Sequence, residues 1–77
     1  MPEYCMEELI DQHGKKLYNL AYRVCGNHQD AEDVLQETYL QVYKSLDSFR
    51  GDSDIFTWLY KIALNNCIKL KKTNEAY

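Results

Sequence analysis

Proline is all but missing from this chain: among 77 residues it occurs once, at Pro2. Beyond that point no residue breaks a helix by lacking a backbone N–H. Glycine is sparse too, at Gly14, Gly26 and Gly51 only, so few positions invite a tight turn. The three cysteines, Cys5, Cys25 and Cys67, are odd in number and widely spread. That argues against a disulfide framework and for reduced thiols in a cytosolic protein. No apolar run approaches the roughly 20 residues needed to span a bilayer. The N-terminal MPEYCMEEL carries acids where a secretory signal needs bases. A cytoplasmic protein with no membrane partner is expected. The phosphate-binding pattern GxxxxGK, the dinucleotide pattern GxGxxG and the zinc pattern HExxH are all missing. Cys25 and His28 make only a lone Cys-x-x-His, His13 falls on the apolar side of a helix, and no nucleophile–base–orienter set stands out. The chain reads as a non-enzyme with no cofactor and no metal.

What is present is charge arranged by sign. The net charge of −3 alone argues against a nucleic-acid binder, but its distribution does not. From Met1 to Glu37, eight acids face three bases (Lys15, Lys16 and Arg23). From Ile55 to Thr73 stand Lys61, Lys69, Lys71 and Lys72 with no Asp or Glu. Such asymmetry suggests two surfaces with different partners, although a lysine-bearing face is often simply solvated.

Apolar residues recur at helical spacing throughout, which predicts an all-α fold, a small three-helix bundle over residues 1–72. A chain this short buries only about 60% of its unfolded surface, so stability should be modest. The first helix is expected from Glu3 to Cys25, with Leu9, Ile10, His13, Leu17, Leu20 and Val24 on one side. Gly14 weakens it by about 1 kcal/mol relative to alanine and marks a possible break. Gly26-Asn27 supplies the stop. The second helix should begin near Asp30, which can cap it, with Glu32 and Asp33 in its first turn, and end at Leu46 or Asp47. A polar loop, Ser48 to Ser53, bends at Gly51. Ser53 or Asp54 then caps a third helix running to Lys71, and residues 73–77 form a frayed tail or the start of a linker.

At about 100° per residue, Ala31, Val34, Leu35, Thr38, Val42, Ser45, Leu46 and Phe49 share the core face of the second helix. Opposite lie Asp33, Gln36, Glu37, Leu40, Tyr43 and Lys44. An apolar centre inside a polar rim is the anatomy of a protein docking site. Equally, Leu40 could be covered by a neighbouring helix or be one tolerated exposed leucine. On the third helix, Ile55, Leu59, Ile62, Ala63 and Leu70 form the core stripe, with Phe56 at its edge. Beside it, Trp58, Lys61, Asn65, Lys69 and Lys72 line up along the axis. That row offers a ring for stacking, an amide for base edges and cations for phosphates. The plain alternatives are a core tryptophan and two asparagines, Asn65 and Asn66, on a wet face. Tyr18 and Tyr22, opposite the first helix's stripe, are either packed in a second seam or exposed to a partner.

The segments DAEDVLQETYLQVYKSL and SLDSFRGDSDIFTWLYKIALN, in that order and separation, resemble region 2 of bacterial sigma factors of the extracytoplasmic-function group. The likeness runs from about Leu17 to Lys72. It implies a transcription initiation factor whose second helix docks on the clamp helices of RNA polymerase core. The matching positions are Asp33, Gln36 and Glu37, with Leu40 and Tyr43 extending the contact. It further implies that the promoter −10 element is read in melted form on the non-template strand. Ser45, Phe49, Arg50, Gly51, Asp52 and Ser53 would form the pocket for a flipped base, Trp58 would support the melted junction, and Asn65 would contact a neighbouring base. Lys61 and Lys69 would hold phosphates. An anti-sigma factor or a separately encoded region-4 chain are further partners that the resemblance admits. The chain departs from the family in lacking a short helix ahead of Glu3 and the second helical domain, region 4, so it reads as an excised domain or as a protein made of region 2 alone. A competing reading is a helical protein-interaction module that uses the Leu40 face and never touches DNA. A helix-turn-helix duplex binder fits least, since no short turn leads into the basic helix.

Overall fold

The computed structural model describes residues 5–49, 51 and 54–75. The expected start at Glu3, the pocket residues Arg50, Asp52 and Ser53, and the tail residues Ala76 and Tyr77 lie outside them. Three helices run up, down and up: α1 (Met6–Cys25), α2 (His28–Ser45) and α3 (Ile55–Glu75), with a single 3-10 turn at Leu46–Ser48 after α2. Each helix packs on both others. The expected all-α three-helix bundle is the observed architecture.

Local chemistry sets the joints. α1 stops where Gly26 takes a left-handed conformation (φ 84°) and its N–H donates to the Tyr22 carbonyl at 2.7 Å, the closing bond that residues with a Cβ make at a cost. Asn27 does not share that conformation; it is extended (φ −153°) and caps α2. Its Oδ1 accepts from the Asp30 N–H at 2.8 Å while its Nδ2 donates to the Asp30 carboxylate at 2.9 Å. α2 therefore starts two residues before the expected Asp30. Asp30 sits three residues beyond the cap, where a reciprocal pair satisfies the helix end, and it is the acid of the first turn in place of Glu32 and Asp33. α3 is entered through Asp54, whose carboxylate accepts from the Phe56 N–H at 3.1 Å. It continues past Lys71 through Glu75, into the stretch expected to fray, and Thr73 Oγ1 donates to the Lys69 carbonyl there.

The core has two ends of different grain. Leu9, Leu17, Val42, Leu59 and Ala63 form the larger cluster, with Met6, Tyr39, Phe56 and Trp58 among the side chains packed around it. At the other end Ala21, Ala31, Val34 and Cys67 are buried, joined by Tyr18, Cys25 and Leu70. Fully buried leucines such as Leu17 and Leu59 stabilise the fold by about 1.5–3 kcal/mol each. The small residues let the helices approach closely where nothing bulky fills the seam. Gly14 does not break α1. A Cβ built there would lie 3.1 Å from the Tyr39 hydroxyl, so the missing side chain makes room for that ring. Of the expected α1 stripe, Leu9 and Leu17 are buried, His13, Leu20 and Val24 partly so, and Ile10 is 39% exposed. Tyr18 packs at the seam and its hydroxyl bonds His28 Nδ1, whereas Tyr22 stays exposed.

Candidate functional site

The outward face of α2 is built as its periodicity requires. Burial of Ala31, Val34, Thr38 and Val42 fixes the helix's rotation. Asp33, Gln36, Glu37, Leu40, Tyr43 and Lys44 are all thereby turned to solvent. Leu40 is 56% exposed and Tyr43 74% exposed, so no neighbouring helix covers them. Beside them a groove of about 480 Å³ is lined by Met6, Gln36, Tyr39, Leu40 and Tyr43. Met6 and Tyr39 were not among the residues expected here. Their signal is three-dimensional: Met6 comes from another helix, and Tyr39 lies between the core and outward sectors of α2.

On α3, burial of Leu59, Ala63 and Cys67 turns Lys61, Asn65, Lys69 and Lys72 to solvent along one side. Trp58 differs from that row. It is partly buried, packs against the larger core cluster, and stands 4.9 Å from Phe49, ring centre to ring centre. Phe49 and Trp58 thus hold the end of the α2–α3 connection against the bundle. Among the pocket residues that the structure describes, Ser45 and Phe49 are partly buried and Gly51 is exposed with φ 78°, the left-handed bend expected of it. Arg50, Asp52 and Ser53 lie outside the described residues.

Asn66 is the main revision to α3. It is no wet-face residue but 7% exposed, and its Nδ2 donates to Thr38 Oγ1 at 3.0 Å and to Gln41 Oε1 at 3.2 Å. Thr38 Oγ1 in turn donates to the Val34 carbonyl, and Gln41 Nε2 to Glu37 at 3.3 Å. This directed network locks α3 against α2 and sets which of the two asparagines faces out. The sequence carried a signal for it: Leu59, Ala63, Asn66, Cys67 and Leu70 follow core spacing. Polarity alone made Asn66 look solvated.

The two faces meet along the α2–α3 seam. A cavity of about 290 Å³ there has Asp33 and Glu37 on one wall and Lys69 and Thr73 on the other, with Val34 and Leu70 beneath. Gln41, Asn65, Lys69 and Lys72 line the next one, of about 340 Å³. Lys69 therefore borders both. Elsewhere, His28 has both ring nitrogens engaged, Nδ1 by Tyr18 and Nε2 by Glu32 at 3.2 Å. Cys25 and the fully buried Cys67 are thiol neighbours. Burial pushes Cys67 up to about 11 and raises Cys25 as well. Among the described residues, no helix is long and apolar enough to cross a membrane.

Comparison with known proteins follows the same outline. The family model for sigma-70 region 2 matches residues 9–76. The ECF RNA polymerase sigma-E factor of Salmonella typhimurium is 58% identical over 57 residues, covering 74% of this chain and 29% of that protein. The ECF RNA polymerase sigma factor SigW of Bacillus subtilis is 38% identical over 71 residues, covering 91% of this chain and 38% of that protein. The ECF RNA polymerase sigma-E factor of Haemophilus influenzae is 36% identical over 76 residues, covering 84% and 40%. The chain thus spans two fifths or less of the length of these relatives.

Proposed function

Because this chain belongs to the sigma-70 region 2 family, we propose that it binds RNA polymerase core through the outward face of α2 and takes up the melted −10 promoter element on α3 and the loop before it. The observation that carries this reading is the exposure of Leu40 and Tyr43 among Asp33, Gln36 and Glu37. An apolar centre rimmed by carboxylates and an amide suits a basic, amphipathic partner, and the polymerase clamp helices are the partner assigned here. On α3, Lys61 and Lys69 hold phosphates and Asn65 reads a base edge. Ser45, Phe49, Arg50, Gly51, Asp52 and Ser53 receive the flipped base of the non-template strand. Unstacking a base costs a few kcal/mol, which a fitted pocket and aromatic stacking can return. Trp58, packed against Phe49, supports the melted junction there.

No covalent chemistry is involved; the work is differential binding of melted over paired DNA. A region-4 domain, in the same polypeptide or as a separate chain, supplies the second promoter contact, and an anti-sigma factor would compete for these faces. The test is a binding panel: core polymerase, a single-stranded −10-like oligonucleotide and the same sequence as duplex. Binding to core, with preference for one single strand over duplex, is the expected pattern. Core binding with no strand preference would favour the alternative of a protein-interaction module.

A further inference from the structure

We propose that Cys25 and Cys67 are an oxidisable pair: exposed to a peroxide, they form an intramolecular disulfide that ties the end of α1 to α3 and staples the bundle.

Helix packing, not nearness in the chain, brings the two thiols together. Cys25 is the last residue of α1, and Cys67 lies in α3 directly after Asn66. Cys67 is fully buried at the alanine-containing end of the core, and Cys25 packs against the same cluster. Ala21 and Ala31 are its other fully buried members, so the helices close on each other there without a large side chain at the centre. The thiols are hydrogen-bonded, with the Cys67 S–H donating to the Cys25 sulfur. Adjacent thiols on two packed helices are the starting arrangement that a disulfide requires. The third cysteine, Cys5, is exposed at the opposite end of α1 and lies outside this cluster.

The two sulfurs have different parts. Cys25 is partly exposed and Cys67 is sealed, so an oxidant in solution meets Cys25 first. Burial raises both thiols, but the bond from Cys67 and the charge of Lys71 favour the Cys25 thiolate, with Asp30 opposing. The thiolate is the nucleophile. It attacks one peroxide oxygen; the S–O bond forms, the O–O bond breaks, and the departing hydroxide takes up a proton as water. Cys25 is then a sulfenic acid. The Cys67 sulfur attacks the Cys25 sulfur, the S–S bond forms, the S–O bond breaks, and the hydroxide leaves as water with the Cys67 proton. Two thiols have lost two electrons and the peroxide has become two waters. A dithiol reductant reverses the bond by exchange.

The bond closes a loop of roughly 40 residues that contains all of α2 and the first half of α3. A closure of that length restricts the unfolded chain strongly. Neither thiol lies on the outward face of α2 or in the Asn65–Lys69 row, so the staple holds the helices that carry those faces without covering them.

The experiment treats a Cys5→Ser protein with hydrogen peroxide and reads its intact mass. Serine suits the helix-capping position that Cys5 occupies. The expected result is a monomer lighter by about 2 Da, the two thiol hydrogens, with Cys25 and Cys67 joined in a non-reducing peptide map and the original mass restored by dithiothreitol. Its melting temperature should rise by roughly 10 °C or more on oxidation. With Cys67→Ala added, dimedone should trap the sulfenic acid on Cys25; with Cys25→Ala added instead, labelling of Cys67 should be at least about tenfold slower. If either of those variants fails to fold, the mass and the peptide map of the Cys5→Ser protein decide alone. Added oxygen with no loss of hydrogen, or a disulfide only between two chains, would overturn the pair. Equal dimedone labelling would overturn the division of roles, and an unchanged melting temperature would overturn the staple.

Discussion

Asn66 allows a sharp test of how the bundle holds α3 in register. Replacing it with alanine removes two hydrogen bonds, to Thr38 Oγ1 and Gln41 Oε1. Thr38 keeps its bond to the Val34 carbonyl, and Gln41 is only partly buried, so neither is left as an unsatisfied donor. At about 1 kcal/mol per bond, with a small cavity added, the loss should be about 2–3 kcal/mol. For a domain of this size, holding about 4–12 kcal/mol in all at roughly 0.05–0.15 per residue, that is a large share. The melting temperature should fall by roughly 10 °C or more. Asn66→Asp is more telling, because a carboxylate there would face two acceptor oxygens. Its folded-state pKa would rise above the unfolded value of about 3.9. The stability of the acid form is then fully present below that value and lost as pH rises through the folded pKa, so this variant should weaken between acid and neutral pH relative to the parent. Urea unfolding followed by circular dichroism at several pH values measures both. A cost under about 0.5 kcal/mol for Asn66→Ala, or an Asn66→Asp variant that tracks the parent at every pH, would refute the network's role.

The remaining expectations concern the thiols and the DNA. Cys67, raised to about 11 by burial, should react with iodoacetamide at pH 7.5 at least roughly 300-fold more slowly than an ordinary thiol in the folded protein, while exposed Cys5 labels readily; equal labelling would contradict the buried assignment. Because its folded pKa is raised, Cys67 stabilises the fold fully below the ordinary thiol pKa and less as pH climbs toward 11, so alkaline unfolding should come earlier than in a Cys67→Ala variant measured against its own neutral-pH stability. Binding to a −10-like single strand should fall steeply with salt, and Asn65→Ala should relax base preference more than affinity; identical sequence preference in that variant would remove Asn65 from the readout. A few base contacts at about 1–3 kcal/mol each give little discrimination against a genome. In an in vitro transcription assay, the 77-residue polypeptide with core polymerase should therefore yield little promoter-specific transcript until a region-4 domain is supplied; strong, accurately placed transcripts without one would overturn this.

Most of the bundle was legible because apolar spacing and scarce helix breakers point the same way. Val34, Thr38 and Val42 on α2, and Leu59 and Ala63 on α3, occupy the inward sectors that their spacing predicts. The same wheel put Leu40 and Tyr43 outside, where they are. What was not legible involved choices between chemically similar neighbours. Asn27 and Asp30 can each cap a helix, and only the geometry of Gly26 decides that Asn27 does so. Asn65 and Asn66 read alike until Thr38 and Gln41 are placed opposite the second of them. Trp58 fits both a core edge and a stacking platform, and spacing alone does not show that it packs against Phe49 and the larger core cluster. The groove beside Leu40 needed Met6 from a second helix, and Gly14, which propensity alone marks only as a weak point, leaves room for the Tyr39 hydroxyl.

The central claim is that polymerase and promoter DNA are taken up on separable faces of one small bundle. The most direct measurement titrates the parent, Leu40→Glu and a Lys61→Ala/Lys69→Ala double variant against both core polymerase and a fluorescent −10-like single strand. The account predicts that Leu40→Glu loses core binding about tenfold or more and keeps the oligonucleotide, while the lysine variant does the reverse. If both activities fall together in either folded variant, or neither falls in Leu40→Glu, the division of labour between α2 and α3 is wrong.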